Sequence, residues 1–326
     1  MKNLVVLIIF LSVNGFAQTP DFQWAAGAGG NSWDLARCVT TDDDGNIFVA
    51  GYFESSKITF GDITLKNVDF GGYTMDIFIV KFDPLGDVLW AKRYGGINND
   101  AALSISADHS GNLLITGVFV GYSITFDTIN LTKQFPGEGL FIAKLNASGN
   151  AMWAHCESNS ESSGYCAIFD EYNNYCITGS FKGTITFGDI TLQSAGKAMF
   201  IVKYDPFGNV VWAQKTEGID NDGFMAITDL VGNLIISGSF YSDTLAFGSV
   251  RLINAGERDI FVAKFDSSGT AIWAKSAGGV TDDWGHGVAT DDQGNIFMTG
   301  SFYGPHVTFD TINLNGSGDM FIAKYD

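Results

Sequence analysis

Apolar and polar residues alternate along short stretches of the chain, and glycine, asparagine or aspartate separates one stretch from the next. The segment 103–108 alternates in this way and leads into a turn of the form D-x-x-G-N, which the apolar segment GNLLITGVF overlaps and continues. Alternation with a period of two, together with β-branched and aromatic residues, predicts antiparallel strands joined by tight turns. No stretch of the sequence shows sustained helical periodicity with capping residues. The pattern therefore predicts an all-β fold.

An internal repeat extends this prediction to the whole chain. Four sequence markers each occur five times: Trp-Ala, Gly-x-Phe, the segment ITF or a variant of it, and the segment FIVK, FIAK or FVAK. The first marker stands at Trp24, Trp90, Trp153, Trp212 and Trp273, so one unit has about 62 residues. Each unit reads as four strands, and four-stranded units repeated around a ring are the signature of a β-propeller.

The predicted fold is a β-propeller of five four-stranded units within residues 18–326. The units are centred near 24–89, 90–152, 153–211, 212–272 and 273–326. The first Trp-Ala strand, Phe22 to Ala26, has no partner in its own unit, and a ring can close if this strand completes the last blade and removes its open edge. We therefore expect five blades closed by the N-terminal strand. The alternatives are a fragment of a larger propeller and a piece of a larger multi-domain exported protein.

The first residues have the pattern of a secretory signal. Met1-Lys2-Asn3 supplies a short positive start, LVVLIIFLSV an apolar run, and small residues precede Gln18. This combination predicts a cleavable signal peptide over residues 1–17. The apolar run is too short to span a bilayer as a helix, and no later segment is long and apolar enough. We therefore expect a soluble protein, exported to the periplasm or out of the cell, with no membrane span.

One repeat unit also carries a family resemblance. The pattern GNIFVAGYF…DIFIVKFDPLGDVLWAKRYGG resembles the SBBP-type β-propeller repeat of secreted bacterial proteins. The resemblance extends over essentially all of residues 18–326. It implies a propeller fold and export, and it implies no catalytic residues.

The charge balance narrows the classes of partner. The chain has 18 Lys+Arg against 36 Asp+Glu, a net charge of −18. Nucleic acids and anionic membranes bind clustered cations, so both are disfavoured as partners. In a propeller the first strand of each blade lines the central channel, where an enzyme would place its acid and base. Arg37 and His286 are the only charged or imidazole side chains in those strands, so an enzyme is disfavoured and no catalytic residue is assigned.

Two charged residues recur at fixed positions in every unit. An aspartate opens each D-x-x-G-N turn or its variant, and a lysine ends each FIxK-type strand: Asp42, Asp108, Asp170, Asp229, Asp291, Lys81, Lys144, Lys203, Lys264 and Lys324. Aspartate at this position is typical of an Asx turn that joins two strands. Because burying either charge alone is costly, we expect one ion pair per blade, such as Lys81 with Asp42. The alternative for the lysines is a solvated side chain.

Residues 42–46 also resemble a calcium loop, because three aspartates precede Gly45. Calcium loops need alternating oxygen ligands and a further carboxylate, which the other four turns lack. We therefore assign no cofactor, with calcium at the first turn as the alternative.

Four cysteines in an exported protein raise the question of disulfides. Cys166 and Cys176 flank one turn and could face each other across it, so we consider a bond between them. Cys38 has the same repeat position as Cys166 in another unit, and Cys156 lies on a Trp-Ala strand. Buried free thiols are the alternative. The sequence has no C-x-x-C segment, which disfavours a zinc site.

Two tryptophans lie outside the repeat positions, in loops that lead from the fourth strand of one unit to the first strand of the next. Together with their neighbours they form the candidate ligand site: Trp33, Asp34, Asp282, Asp283, Trp284 and His286. Exposed aromatic side chains beside carboxylates suit glycan binding. The alternative is that both tryptophans fill the junction between blades, since large aromatic side chains are usually largely buried.

The sequence thus predicts a secreted, non-enzymatic propeller that acts as a binding or scaffold module for a protein or a glycan. The alternative is a lectin-like or carbohydrate-active protein that uses the face carrying the loops from strand 4 to strand 1. The fold alone does not choose between them, because propellers host unrelated functions.

Overall fold

A computed structural model describes residues 23–69, 74–157, 160–218 and 221–326, with the backbone alone for residues 221–224. The predicted signal peptide, residues 1–17, lies outside the described residues. Every regular element of the described chain is a β-strand, and none of the described residues belongs to a helix able to cross a membrane.

The strands of the described chain fall into five successive units, which we call blades 1 to 5 in chain order. Each blade has one main sheet, and blades 1, 2, 4 and 5 also have a separate two-stranded hairpin. Blade 1 contains β1 (Asp34–Thr41), β2 (Ile47–Phe53), β3 (Lys57–Phe60), β4 (Ile63–Lys66), β5 (Asp76–Phe82) and β6 (Val88–Tyr94). Blade 2 contains β7 (Asp100–Ala107), β8 (Leu113–Phe119), β9 (Ser123–Phe126), β10 (Ile129–Thr132), β11 (Gly139–Leu145) and β12 (Ala151–His155). Blade 3 contains β13 (Ser162–Phe169), β14 (Tyr175–Phe187), β15 (Ile190–Tyr204) and β16 (Val210–Lys215).

Blade 4 contains β17 (Asn221–Thr228), β18 (Leu234–Phe240), β19 (Thr244–Phe247), β20 (Val250–Ile253), β21 (Asp259–Phe265) and β22 (Ala271–Ala277). Blade 5 contains β23 (Asp283–Thr290), β24 (Ile296–Phe302), β25 (His306–Phe309), β26 (Ile312–Asn315) and β27 (Asp319–Tyr325). Each blade is an antiparallel meander, and a short hairpin stands between its second and third main strands. In blade 3 this hairpin is continuous with β14 and β15. The predicted all-β propeller with five repeats is confirmed.

Blade 5 differs from the other four blades, because its sheet has three strands in the described chain. Residues 23–30 form no strand there, and Trp24 stacks on Phe82 of blade 1. Blade 1 packs on blade 2 through β1 and β7, whereas no comparable packing joins blade 1 to blade 5 among the described residues. The edge of β27 is therefore out of reach of the segment that should pair with it. The predicted closure by Phe22–Ala26 is wrong for the described residues, and the five blades form an open arc.

The apolar core of the protein lies mainly between neighbouring blades. Ile77 and Ile79 of β5 are fully buried against Ile115 and Phe141 of blade 2. Burying one such side chain contributes about 1.5–3 kcal/mol to folding. The stacking of one blade on the next therefore supplies much of the stability of the arc.

The turn at Asp42 shows why every unit repeats this aspartate. Oδ1 of Asp42 accepts the backbone N–H of Asn46 at 2.9 Å, and both oxygens accept its side-chain amide. Gly45 has a φ of 77°, in the left-handed region that favours glycine. Blade 3 has Asn173 at this position with a φ of 60°, and asparagine tolerates that region. The aspartate thus serves as the cap of an Asx turn.

The ion pair expected between Lys81 and Asp42 is present, with Nζ and Oδ2 3.3 Å apart. The equivalent distances in blades 2 to 4 are 3.9 Å for Lys144–Asp108, 3.0 Å for Lys203–Asp170 and 2.9 Å for Lys264–Asp229. In blade 5, hydrogen bonds from Asn295 and, more weakly, the charge of Lys324 lower the pKa of Asp291. In blades 1 to 4 these pairs are largely buried, so each charge compensates the other.

The four cysteines are free thiols, so the Cys166–Cys176 disulfide that we considered is not formed and the alternative of buried free thiols holds for this pair. The register of the hairpin explains this outcome, because Cys166 pairs with Thr178 whereas Cys176 pairs with Ile168. Both thiols are instead buried in the core between blades 3 and 4. Sγ of Cys166 accepts the backbone N–H of Ala226 at 3.3 Å, so this thiol joins the first strands of two neighbouring blades.

Candidate binding face

The two faces of the arc carry different features. Asp34 at the start of β1 pairs with Phe53 at the end of β2, so both lie on the same face. The loops that lead from the fourth strand to the first strand and the hairpins after the second strand therefore share this face, which we call the hairpin face. The aspartate turns and the lysine ion pairs lie on the opposite face, which we call the turn face.

The first strand of every blade contains a β-bulge at the same repeat position. The register skips one residue in each of the five strands: Arg37, Leu103, Tyr165, Phe224 and His286. The first strands of neighbouring blades pack side by side, so they line the axis of the arc. A bulge leaves its extra residue unpaired and re-aims its side chain. The structure therefore places five different residues at equivalent bulge positions along the axis.

The described side chains at these positions differ in chemistry. Arg37 and His286 are exposed, and Leu103 is half-buried. The hydroxyl of Tyr165 forms a hydrogen bond with Oγ of Ser180 at 3.0 Å. Sequence reasoning found Arg37 and His286 but missed the bulges, for which the signal is the break in alternation at one repeat position.

A polar pocket of about 370 Å³ opens on the hairpin face between blades 2 and 3. Two carboxylates and two ammonium groups line it, those of Glu138, Glu161, Lys182 and Lys197. Tyr165 forms part of the wall, and Nζ of Lys197 lies 5.8 Å from the centroid of its ring. Opposite charges in one pocket suit a ligand that itself carries both, such as a peptide segment.

Trp284 lies on β23 of blade 5 and is half-buried. Cζ of Arg258 lies 3.8 Å from the centroid of its ring, within the range of a cation–π contact. The ring of His286 lies nearly parallel to that of Trp284, with the two centroids 6.5 Å apart. Nε2 of His286 lies 3.3 Å from Oγ of Ser301. Trp284, Arg258 and His286 thus form one stacked cluster, and the neighbouring Asp282 is half-buried.

Trp33 lies at the other end of the arc, and 75% of its surface is exposed. Oδ2 of Asp34 accepts the N–H of Gly30 at 2.8 Å and the hydroxyl of Ser55 at 2.7 Å, so this carboxylate is engaged in its own loop. Since blades 1 and 5 show no packing like that of blades 1 and 2 in the residues that the structure describes, Trp33 and Trp284 do not lie together. A ligand role for the predicted residues stays a prediction. It now concerns two separate groups, one around Trp33 in blade 1 and one around Trp284 in blade 5.

Asp283 is fully buried, so it belongs to a blade junction and is not an exposed ligand group. Burial raises the pKa of Asp283 to about 6, and its Oδ2 accepts the N–H of Gly279 at 2.7 Å. Asp259 of blade 4 faces the same junction, where burial and then the charge of Asp283 raise its pKa to about 6. Oδ1 of each carboxylate is buried without a hydrogen-bond partner.

An equivalent pair of carboxylates lies between blades 1 and 2. Asp76 and Asp100 are fully buried, and each has a buried Oδ1 without a hydrogen-bond partner. Burial, with a smaller contribution from the charge of Asp76, raises the pKa of Asp100 to about 8. Arg93 compensates Asp76 in part, since its Nη1 lies 3.1 Å from Oδ2 of Asp76. Sequence reasoning missed these pairs because their members come from different blades.

The residues that the structure describes include no group of three or more His, Cys, Asp or Glu placed to hold a metal ion. In the turn at residues 42–46, the carboxylate of Asp42 is engaged by Asn46 and Lys81. The assignment of no cofactor, with calcium at this turn as the alternative, stays a prediction.

Residues 272–301, which run from β22 into β24, match the sequence model of the family described as SBBP: Beta-propeller repeat. This segment of the chain is an SBBP-type β-propeller repeat. The matched segment belongs to one of five successive blades, four with a four-stranded main sheet and one with three strands in the described chain.

A comparison with curated proteins finds an uncharacterized WD repeat-containing protein of Acanthamoeba polyphaga mimivirus, 26% identical over 93% of this chain. The match covers 27% of that protein, so the chain spans about a quarter of the length of this relative. Among solved structures, Kuenenia stuttgartiensis hydrazine synthase aligns with 82% of this chain and 75% of that chain, at 9% identity and a TM-score of 0.38.

Proposed function

We propose that this SBBP-type propeller is a non-enzymatic binding module that recognises a partner protein on its hairpin face. The supporting observation is the β-bulge that recurs at one position in all five first strands, along the axis of the arc. Bulges are over-represented next to functional sites, where they re-aim side chains. Because the five residues at these bulges differ, an asymmetric surface such as that of a protein fits the axis better than a symmetric ligand.

The polar pocket beside Tyr165 supports a protein as the partner. Glu138 and Lys197 lie in one cavity, so a peptide segment with charges of both signs finds a counter-charge for each. The net charge of −18 favours a partner with a basic surface, because complementary charge speeds the encounter. The likeness to a WD repeat-containing protein supports the same class of function.

A glycan is the second candidate ligand, and the exposed indole of Trp33 favours it. With 75% of its surface exposed, Trp33 offers a flat apolar face to a sugar ring. Trp284 offers less, because Arg258 already lies over its ring. A glycan site would therefore centre on blade 1.

Export is part of the proposal and is supported by the signal pattern of residues 1–17. N-terminal sequencing of the protein from the medium or periplasm of a producing cell tests it. We expect a mature chain that starts at Gln18. A cell-retained chain that still carries Met1 would contradict export.

The binding proposal is tested by comparing the unmodified protein with two double variants in partner capture, and with Trp33→Ala on a glycan array. Lys182→Glu/Lys197→Glu reverses the charge of the hairpin-face pocket, whereas Leu85→Ala/Phe207→Ala removes exposed apolar side chains of the turn face and serves as the control. We expect the captured partner to be lost from the first variant and kept by the second. Retention by the first variant with loss from the second would overturn the proposal. Glycan binding that disappears in Trp33→Ala would support the second candidate.

A further inference from the structure

The two ends of the arc differ from the four junctions between blades. In β27, 76% of the surface of Met320 and 67% of the surface of Ile322 are exposed to solvent. Their counterparts in β5, Ile77 and Ile79, are fully buried by blade 2. In the described part of the chain, β27 pairs with β24 and has no strand on its other side. This end of the arc therefore presents an apolar sheet face and an open strand edge.

The other end of the arc presents a fourth-strand segment without its sheet. Nε1 of Trp24 donates to the carbonyl oxygen of Pro84 in blade 1, at 3.3 Å. The same hydrogen bond joins neighbouring blades inside the arc, from Trp90 to Ala147 at 3.2 Å and from Trp212 to Ser267 at 3.1 Å. Trp24 therefore lies on blade 1 in the way that a fourth-strand tryptophan lies on the next blade.

The contacts at the far end of this segment match as well. Gly30 lies so close to blade 1 that a Cβ atom on it would be 2.2 Å from the carbonyl oxygen of Lys57. The corresponding distances inside the arc are 2.5 Å for Gly96 on Ser123 and 2.3 Å for Gly279 on His306. Residues 24–30 thus occupy on blade 1 the place that residues 90–96 occupy on blade 2.

An apolar cavity of about 450 Å³ lies between this segment and the sheet of blade 1. Its lining on the blade side is formed by Ile58, Phe60, Phe78, Val80 and Phe82. At the junction of blades 1 and 2, Ile77 and Ile79 pack against the matching residues Ile124, Phe126, Phe141, Ala143 and Leu145. The cavity therefore corresponds to the space that a third strand of a preceding blade fills.

We propose that residues 24–30 of one copy of this protein form the fourth strand of blade 5 in a second copy, whose Met320 and Ile322 fill the cavity. The tryptophan hydrogen bond, the close approach of the glycine and the apolar packing that this docking needs all have equivalents at junctions between blades of the same chain. A second copy docks without a change in any of the four junctions, whereas closure within one chain would need blades 1 and 5, which do not pack, to meet. The contact is head to tail, so each copy donates a strand at one end and accepts one at the other.

Strand register fixes which residues should meet in this contact. In blades 1 to 4, the fourth-strand tryptophan pairs with the third-strand lysine: Trp90 with Lys81, Trp153 with Lys144, Trp212 with Lys203 and Trp273 with Lys264. The same register places Trp24 opposite Lys324 and Ala25 opposite Ala323. Paired residues on neighbouring strands lie close enough for a disulfide bond.

The test uses Ala25→Cys and Ala323→Cys as two separate full-length variants, mixed and oxidised, with products separated on a non-reducing gel. We expect a dimer whose disulfide maps by mass spectrometry to positions 25 and 323. In the control, Ala26→Cys replaces Ala25→Cys, and because neighbouring strand residues point to opposite faces we expect about tenfold less cross-link.

A chain that carries both Ala25→Cys and Ala323→Cys separates the two modes of closure. A disulfide between chains supports the proposal. A 25–323 disulfide within one chain would mean that the arc closes on itself, and it would overturn the proposal. The absence of any 25–323 disulfide from every sample would overturn it as well.

Light scattering gives a second readout that needs no cross-link. We expect the unmodified protein to exceed the monomer mass at high concentration and Met320→Lys/Ile322→Lys to remain monomeric with an unchanged circular dichroism spectrum. Ile253→Lys, at a residue of blade 4 that is 72% exposed, is the control and should still assemble. An unmodified protein that is monomeric at every concentration would overturn the proposal.

Discussion

Replacing Asp100 by asparagine is expected to stabilise the protein at alkaline pH and to change it little under acidic conditions. Asp100 is fully buried between blades 1 and 2, and burial raises its pKa from 3.8 to about 8. The folded protein therefore keeps a proton that the unfolded chain releases. Its contribution to stability is fully present below the unfolded pKa of 3.8 and is lost progressively as the pH rises to about 8.

The size of the effect follows from the shift in pKa. One pKa unit corresponds to ~1.4 kcal/mol, so the rise from 3.8 to about 8 sets an upper limit on the order of 5 kcal/mol. Because relaxation around a buried charge reduces the cost, we expect a gain of about 2 kcal/mol for Asp100→Asn near pH 8. Asparagine keeps an acceptor for the N–H of Gly96, and its uncharged amide replaces Oδ1 of Asp100, which is buried without a hydrogen-bond partner.

Urea unfolding followed by tryptophan fluorescence at several pH values measures the difference in free energy of unfolding between the two proteins. We expect that difference to grow steadily from about pH 5 to about pH 8. Asp283→Asn is the matched control, since Asp283 has a pKa of about 6 and its gain should level off at lower pH. A difference that does not depend on pH, or an Asp100→Asn protein that is less stable near pH 8, would refute the reasoning.

Three further outcomes follow from the contacts of the blades. In a double-mutant cycle, Lys264→Ala and Asp229→Ala should show a coupling of about 1–3 kcal/mol, because their side chains pair at 2.9 Å near the protein interior, and additive effects would contradict the pair. Cys166 and Cys176 should react with a thiol reagent only after unfolding, since both are buried and burial raises the pKa of Cys176 to about 12. Thiols that fail to react even then would indicate a disulfide. Trp90→Ala should lower the free energy of unfolding by about 2–4 kcal/mol, because the indole joins blade 1 to blade 2, and a loss below about 0.5 kcal/mol would contradict that role.

Features that depend on neighbours along the chain are predictable from the sequence. The strands follow from alternation with a period of two, and their turns from aspartate, glycine and asparagine at fixed offsets. The pair of Lys81 and Asp42 is predictable too, because the repeat places one residue at the end of a third strand and the other at the turn of the same blade. Both members of each such pair belong to one unit, so the unit alone determines the contact.

Features that depend on register or on the neighbouring blade are not predictable in this way. Cys166 and Cys176 flank one turn, but the register places Ile168 opposite Cys176, and the sequence around the turn does not fix that offset. Asp283 reads as a surface carboxylate beside Trp284, yet blade 4 buries it completely. The bulge at His286 depends on register, because the pairing with the second strand skips this residue, and its signal in the sequence is a break in the alternation.

The junctions between blades nevertheless carry a polar signature that is visible in the sequence. Asp76 and Asp100 meet beside Gly95, where a Cβ atom would lie 2.4 Å from Oδ1 of Asp76. Asp259 and Asp283 meet beside Gly278, where a Cβ atom would lie 2.0 Å from Oδ1 of Asp259. A second glycine follows in both cases, and the junctions that lack these carboxylate pairs also lack the double glycine. The glycines are thus required by the close approach of the buried carboxylates.

Each end of the arc carries one half of this combination of a carboxylate pair and a double glycine. Asp319 at the start of β27 has the position of Asp76 and Asp259, and it is exposed. Gly29-Gly30 precedes Asp34, whose Oδ2 accepts the N–H of Gly30 as that of Asp283 accepts the N–H of Gly279. When blade 5 of one copy meets blade 1 of the next, the two halves come together as one carboxylate pair beside a double glycine. The polar signature, the tryptophan hydrogen bond and the apolar cavity therefore all indicate the same missing junction.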